Sequence, residues 1–283
     1  MALIDELLWN DWHVVASLEV LSQEVPYKTI LLEHSILVSL SADGQPIVNS
    51  TLDGTEMPSK IQYGFVWTCC GTPNRDIVHI PETLEEDRII TTGGSFGVHV
   101  SGLRVVENFL DMGHFPFIHN GWLGEEPHTE VQPYKVHITK DDEVYATECV
   151  FYQPVASPTA NEGMIAEYEY KVLRPYIVCL YKSNPNQIGR MDYIALFIQP
   201  VSPERCIAHT YLCYIKDGIT TETLRWFMQL IFSQDKPILE NQNPKRLPLD
   251  PRIETPIAAD KVSIAYRRWL QGHNVTYGAI PAT

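Results

Sequence analysis

Between residues 166 and 172 the side chains alternate, with Ala166, Tyr168, Tyr170 and Val172 interleaved with Glu167, Glu169 and Lys171. A period of two sends the first set to one face and the second to the other, which is the pattern of an antiparallel sheet with one wet face. Met191 to Pro200 and Cys206 to Ile215 continue as long strand-forming runs. A sheet of this breadth has an apolar face that must be covered, and the sequence offers helices to cover it. Leu103, Val106 and Leu110 recur at helical spacing and predict a helix over Val105 to Asp111. Thr220 or Thr221 is placed to cap a second helix carrying Leu224, Phe227, Met228 and Ile231, and Ala258 to Gln271 reads as a terminal helix. The fold class expected is α+β. Upstream, residues 11 to 21, 28 to 40 and 61 to 67 read as strands separated by Pro26 and the turn Asp43-Gly44. Residues 1–83 are therefore a small β region and residues 84–283 a mixed domain, with no internal repeat.

Composition narrows the function classes. A formal net charge of −14 without any Lys or Arg run repels phosphate backbones, which sets nucleic acid aside. No apolar stretch approaches the ~18 residues that span a bilayer, so no membrane partner is expected. Met1 to Asn10 carries Asp5 and Glu6 where a secretory signal carries positive charge, which predicts a cytoplasmic protein. The six cysteines fit reduced, buried thiols, and the adjacent Cys69 and Cys70 point to opposite faces of a strand and read as packing.

The chemistry is concentrated in Glu107-Asn108-Phe109-Leu110-Asp111-Met112-Gly113-His114-Phe115-Pro116-Phe117-Ile118-His119. Steps of three keep Asn108, Asp111 and His114 on one helix face, which is costly among apolar neighbours unless they satisfy one another or a metal. A straight helix would separate His114 from His119; Gly113 and Pro116 are placed to break it and let the imidazoles converge. Two histidines and one carboxylate form the facial arrangement of non-heme Fe(II) oxygenases. The remote carboxylate that best completes it is Asp235, in Gln234-Asp235-Lys236-Pro237, beside a proline expected to distort its helix. Asp111 then orients a ligand imidazole through its far nitrogen. Spacing alone also fits two unrelated histidines and a solvated aspartate.

The wording Glu-Asn-Phe-Leu-Asp-x-x-His-x-Pro-Phe-x-His resembles the mononuclear iron motif of Rieske oxygenase α subunits. Gln234-Asp235-Lys236-Pro237 is similar to the carboxylate segment of their demethylating branch, Trp12 to Ala16 to the opening strand, Tyr63 to Trp67 to the close of the Rieske domain, and Arg267 to Leu270 to the last helix. The resemblance implies a helix-grip catalytic domain holding Fe(2+) through His114, His119 and Asp235, with Asp111 as the electron bridge and Asn108 near the iron.

A Rieske [2Fe-2S] cluster requires Cys-x-His and Cys-x-x-His, and the family places both motifs where this chain has only a link, Gln45 to Gln62, without Cys or His. Cys206 and His209 have the second spacing, but a strand would point them to opposite faces. Residues 1–83 are thus expected to be a truncated Rieske-like domain without cluster ligands. The resemblance then narrows to the cluster-lacking oxygenase subunits of bacterial methylxanthine breakdown. It implies N-demethylation, most specifically of 7-methylxanthine to xanthine and formaldehyde. It also implies a separate Rieske-bearing reductase that uses NADH, a glutathione-transferase-like companion, and a homotrimer core. Gln199, Asn241 and sheet tyrosines are candidate contacts for a flat small-molecule substrate. Two rivals remain: an O-demethylase or hydroxylase of an aromatic acid, for which a buried Arg or Lys, with Arg174 and Arg190 as candidates, would pair the carboxylate, and a non-catalytic scaffold subunit.

Overall fold

The computed structural model describes residues 5–22, 24–158, 160 and 162–282. After a one-turn helix α1 (Glu6–Trp9), strand β1 (His13–Ser17) is followed by β2 (Tyr27–Leu31), β3 (His34–Leu40), β4 (Pro46–Ser50), β5 (Glu56–Met57), β6 (Ser59–Gln62) and β7 (Phe65–Thr68). They form two small antiparallel sheets, ordered β2-β3-β4-β5 and β1-β7-β6. Four expectations change here. The strand expected over 61–67 divides into β6 and β7, turning at Tyr63 and Gly64. The strand expected over 11–21 stops at Ser17, whose hydroxyl accepts the Glu19 N–H at 3.2 Å and opens a 3-10 turn. The run 28–40 is a hairpin, turning at Leu32 and Glu33 with φ of 49° and 68°. Non-glycine residues seldom adopt this conformation, and the turn is held from outside, since the Leu32 and Glu33 N–H groups donate to the carbonyls of Pro200 and Val201 at 2.7 and 3.0 Å. The supposed link 45–62 carries β4, β5 and β6.

The main sheet has seven strands, β8 (Arg88–Val98), β9 (Lys135–Ile138), β10 (Val144–Gln153), β11 (Met164–Arg174), β12 (Ile177–Ser183), β13 (Met191–Ser202) and β14 (Arg205–Ile215). Their order is β8-β14-β13-β12-β11-β10-β9, and each neighbouring pair is antiparallel. Alternation is visible in β11 because part of its outer face is wet, whereas β13 is buried along nearly its whole length. The β1-β7-β6 sheet covers the central strands on that side, with the rings of Trp67 and Phe65 centred 4.9 and 5.7 Å from Phe197. Cys206 and His209 do face opposite ways: Cys206 joins the helix-side core, while His209 lies 5.8 Å from Phe65 and bonds Ser95 and Gln199.

The other face is covered by α2 (Gly102–Leu110), α3 (Phe115–Ile118), α4 (Thr221–Glu240) and α5 (Lys261–Gly272). Ser101 caps α2 by accepting the Leu103 N–H, and Thr220 caps α4 by accepting the Thr223 N–H, both at 3.2 Å. Two glycines allow close docking. A Cβ at Gly102 would lie 2.6 Å from Ile198, and one at Gly93 would lie 2.4 Å from Met228 of α4. Among the described residues, no helix is long and apolar enough to cross a membrane.

A largely buried ion-pair network locks α2 to α5. Arg267 donates to both Glu107 oxygens at 2.5 and 2.8 Å and also pairs with Glu254, which Arg104 engages at 2.6 Å. Arg267→Ala would leave Glu107 buried beside a lost partner, so urea denaturation should show a loss of about 3–5 kcal/mol. A loss below about 1 kcal/mol would mean that α5 is held by apolar packing alone.

Candidate metal centre

The helix expected to carry Asn108, Asp111 and His114 on one face ends at Leu110, and Asp111 is its extended cap. The chain then turns. The Asp111 carboxylate accepts the N–H groups of Gly113 and His114 at 2.7 and 3.2 Å, which pins the turn. His114 and His119 cap the two ends of α3, a single turn in which Pro116 sits where no N–H is needed. This is how a spacing of five brings two imidazoles together. The return loop crosses α3 so closely that a Cβ on Gly124 would meet the Pro116 backbone at 2.7 Å. Asp235 projects from α4, which runs on through Pro237 to Glu240 instead of stopping beside the carboxylate.

The Nε2 atoms of His114 and His119 are 3.2 Å apart, and Asp235 Oδ1 lies 3.4 and 3.2 Å from them. Each imidazole is oriented by its other nitrogen. His114 Nδ1 donates to Asp111 Oδ2 and His119 Nδ1 donates to the side-chain oxygen of Gln234, both at 2.9 Å. Both partner atoms are acceptors, so in the neutral imidazoles both Nε2 atoms present lone pairs to one another. Asp235 Oδ1 is buried in the same space and has no hydrogen bond. Three lone pairs facing each other are unfavourable unless a cation lies between them. Ligand bonds of about 2.1 Å meeting near right angles would put the donor atoms about 3 Å apart, as observed. Among the described residues, His114, His119 and Asp235 are the one group of three or more potential metal-ligating side chains.

The electrostatics point the same way. Burial pulls the His114 imidazole down, but the hydrogen bond to Asp111 and the charges of Asp111 and Asp235 outweigh it and push it up to about 9. Burial would raise both carboxyls, yet the imidazoles hold Asp235 and Asp111 below the usual carboxylate range. The site favours positive charge.

The triad opens into an apolar cavity between the helices and the main sheet, lined by Phe109, Leu180, Leu196, Phe227, Met228 and Phe232 among others. Asn108 also lines it and makes no side-chain hydrogen bond among the described residues. Of the other substrate-contact candidates, the sheet tyrosines Tyr168 and Tyr214 also line the cavity, and the rest are elsewhere. Gln199 donates to Thr29 and Ile30 on the far side of the sheet, and Asn241 bonds the Pro237 carbonyl. Arg174 pairs with Asp11, and Arg190 with Glu85 and Asp87.

Sequence reasoning passed over two side chains. Gln234 stands in the sequence only as the neighbour of Asp235, and the structure sets its side-chain oxygen 2.9 Å from His119 Nδ1. Lys182 is buried and lines the cavity, and strand parity with Val178 and Leu180 signals as much. Its ammonium has no hydrogen bond or ion pair among the described residues and lies 5.7 Å from the Tyr168 ring. Burial lowers its pKa to about 8. Because the folded value lies below the unfolded one, this lysine's contribution is most favourable above pH ~10.5 and is lost as pH falls through about 8. Lys182→Met should therefore stabilise the fold by up to about 3 kcal/mol at neutral pH and remove a rise in stability between pH ~8 and ~10.5, read by urea denaturation. Equal stabilities across that range would contradict the burial of the charge.

Residues 98–274 match the family described as the vanillate O-demethylase oxygenase C-terminal domain. The chain is 46% identical over 270 residues to the probable methylxanthine N7-demethylase NdmC of Pseudomonas sp. (strain TJI-51), covering 95% of each protein. It is 29% identical over 215 residues to the methylxanthine N1-demethylase NdmA of Pseudomonas putida, covering 74% of this chain and 58% of that protein. In fold it is similar to the solved structure of Pseudomonas putida CBB5 NdmA with caffeine, with a TM-score of 0.75 at 19% identity over 95% of this chain and 92% of that one. Dicamba monooxygenase bound to dicamba gives a TM-score of 0.72 at 14% identity, covering 94% and 97%.

Proposed function

Because the chain belongs to the oxygenase family defined by the vanillate O-demethylase C-terminal domain, we propose that it is the iron-bearing subunit of a methylxanthine N-demethylase acting on 7-methylxanthine. The observation that carries this is the convergence of His114, His119 and the hydrogen-bond-free Asp235 oxygen on one wall of an apolar cavity. These residues would hold Fe(2+) in a facial arrangement. When bound, the iron supplies oxygen activation for hydroxylating an N-methyl C–H bond, and the resulting carbinolamine releases formaldehyde and the free N–H. The overall balance takes one O2, one NADH and one proton, and yields NAD+ and water besides the two products.

The protein's own residues supply position and dryness. Phe109, Phe227 and Phe232 offer ring faces and excluded water to a flat heterocycle. Asp111 and Gln234 fix the imidazoles in the tautomer that leaves Nε2 free. Asp111 also borders a surface depression shared with Asp260, Ser263 and Arg267, so it joins the centre to the protein exterior. Electrons enter at this point from a separate reductase that carries its own Rieske cluster and oxidises NADH. Residues 1–83 are the remnant of a Rieske domain, and residues 84–283 the helix-grip catalytic domain. The assembly includes a homotrimer core and a glutathione-transferase-like companion.

One observation favours the aromatic-acid rival: Lys182 puts a cation in the cavity wall. The 46% identity to a probable methylxanthine N7-demethylase favours the xanthine. The test is to supply iron-loaded protein with 7-methylxanthine, NADH, air and a Rieske-bearing reductase. Equal amounts of formaldehyde and xanthine are expected, and no formaldehyde from an iron-replete centre with a working donor would contradict the proposal.

A further inference from the structure

The cavity is apolar apart from the metal-binding wall and a few polar groups, and the most conspicuous of these is the Lys182 ammonium on the opposite, sheet wall. Lys182 is 4% exposed and has no acceptor among the described residues. Its cross-strand neighbour Asp192 acts on it by charge but makes no hydrogen bond or ion pair with it, its carboxylate being held by the Ile215 N–H at 2.9 Å and the Asn184 amide at 3.1 Å. A buried ammonium without an acceptor is costly, and its remaining neighbour, the Tyr168 ring, offers it no lone pair within reach. The open direction is the cavity. We infer that Lys182 is the specificity-determining anchor of the site, donating to a ring carbonyl oxygen of a neutral, flat heteroaromatic ligand and so turning the ligand's far edge toward the His114–His119–Asp235 wall.

The choice of a carbonyl over a carboxylate follows from the donors in place. Lys182 presents a single ammonium among apolar walls, a point donor that one carbonyl oxygen satisfies. The arginines suited to a bidentate clamp, Arg174 and Arg190, are occupied elsewhere. A neutral dioxo-purine offers carbonyl acceptors at its rim and two apolar faces for the phenylalanines. The inference rests on the function proposed above, which supplies the probe.

The test is a chemical double-mutant cycle by calorimetry on the anaerobic, iron-loaded protein. Its ligands are 7-methylxanthine and 7-methylpurine, the latter lacking both ring oxygens. Hydrogen bonds to charged groups imply that the parent chain binds the oxygenated ligand about 10–100-fold more tightly. In Lys182→Met that preference should shrink to within about threefold, and Lys182→Arg should regain part of it, since stacking differences between the ligands cancel across the cycle. Iron content and melting curves confirm that each variant is folded. Undiminished discrimination in Lys182→Met overturns the anchor and leaves the proposed function standing. Failure of the parent chain to bind either purine overturns both. Tighter binding of 4-methoxybenzoate than of 7-methylxanthine overturns the choice of a neutral ligand.

Discussion

Asp235→Ala is expected to leave purification with less than about a tenth of the iron held by the parent chain, and with turnover lower by at least about 10³-fold. The reason is geometric. Asp235 Oδ1 is the one anionic donor at the centre, 3.2–3.4 Å from both Nε2 atoms and without any other partner. Its removal leaves two imidazoles without an anionic partner, which bind a divalent cation poorly in a largely buried site. The fold should tolerate the change, because the carboxylate makes no hydrogen bond through Oδ1 that α4 needs for docking. Metal analysis alongside circular dichroism reads both. Full iron occupancy in Asp235→Ala would remove Asp235 from the ligand set.

Asp111→Asn should behave differently. The carboxamide oxygen can still accept from His114 Nδ1, so the imidazole keeps its tautomer and iron content should stay within about twofold of the parent chain. Turnover should fall by about 100-fold or more, because Asp111 is the side chain that both touches a ligand and reaches the surface depression. Iron analysis and formaldehyde release measured on the same preparation separate the two effects. Loss of iron together with activity would make Asp111 a structural support for His114 and nothing more.

Much of the centre was legible because the chemistry is local. His114, His119 and Asp111 fall within nine residues of sequence, and polar side chains in an apolar segment demand partners. The turn that unites them was only half legible. Gly113 and Pro116 signalled a break, but the ending of α2 at Leu110 follows from the Asp111 carboxylate capturing the N–H groups two and three residues on, a local turn that competes with the helix and that counting helical steps does not reveal. Likewise the hairpin at Leu32 and Glu33 lacks the glycine or asparagine of a typical tight turn, because Pro200 and Val201 hold it from another sheet. Alternation revealed β11, with its wet face, and hid the inward lysine of β12, since one charged residue in an otherwise apolar strand reads as an edge. Gln199 was misplaced for the opposite reason. Strand parity fixes a face, but sequence does not say which face meets the helices and which meets the small sheet.

The most direct test is metal stoichiometry after anaerobic loading with Fe(II) and desalting, measured on the parent chain and on the His114→Ala, His119→Ala and Asp235→Ala variants, with acid-labile sulfide determined in parallel. The centre described here should retain about one iron per parent chain with no sulfide, and each variant should lose most of it. A parent chain that retains no iron, or three variants that all retain it, would contradict the assignment.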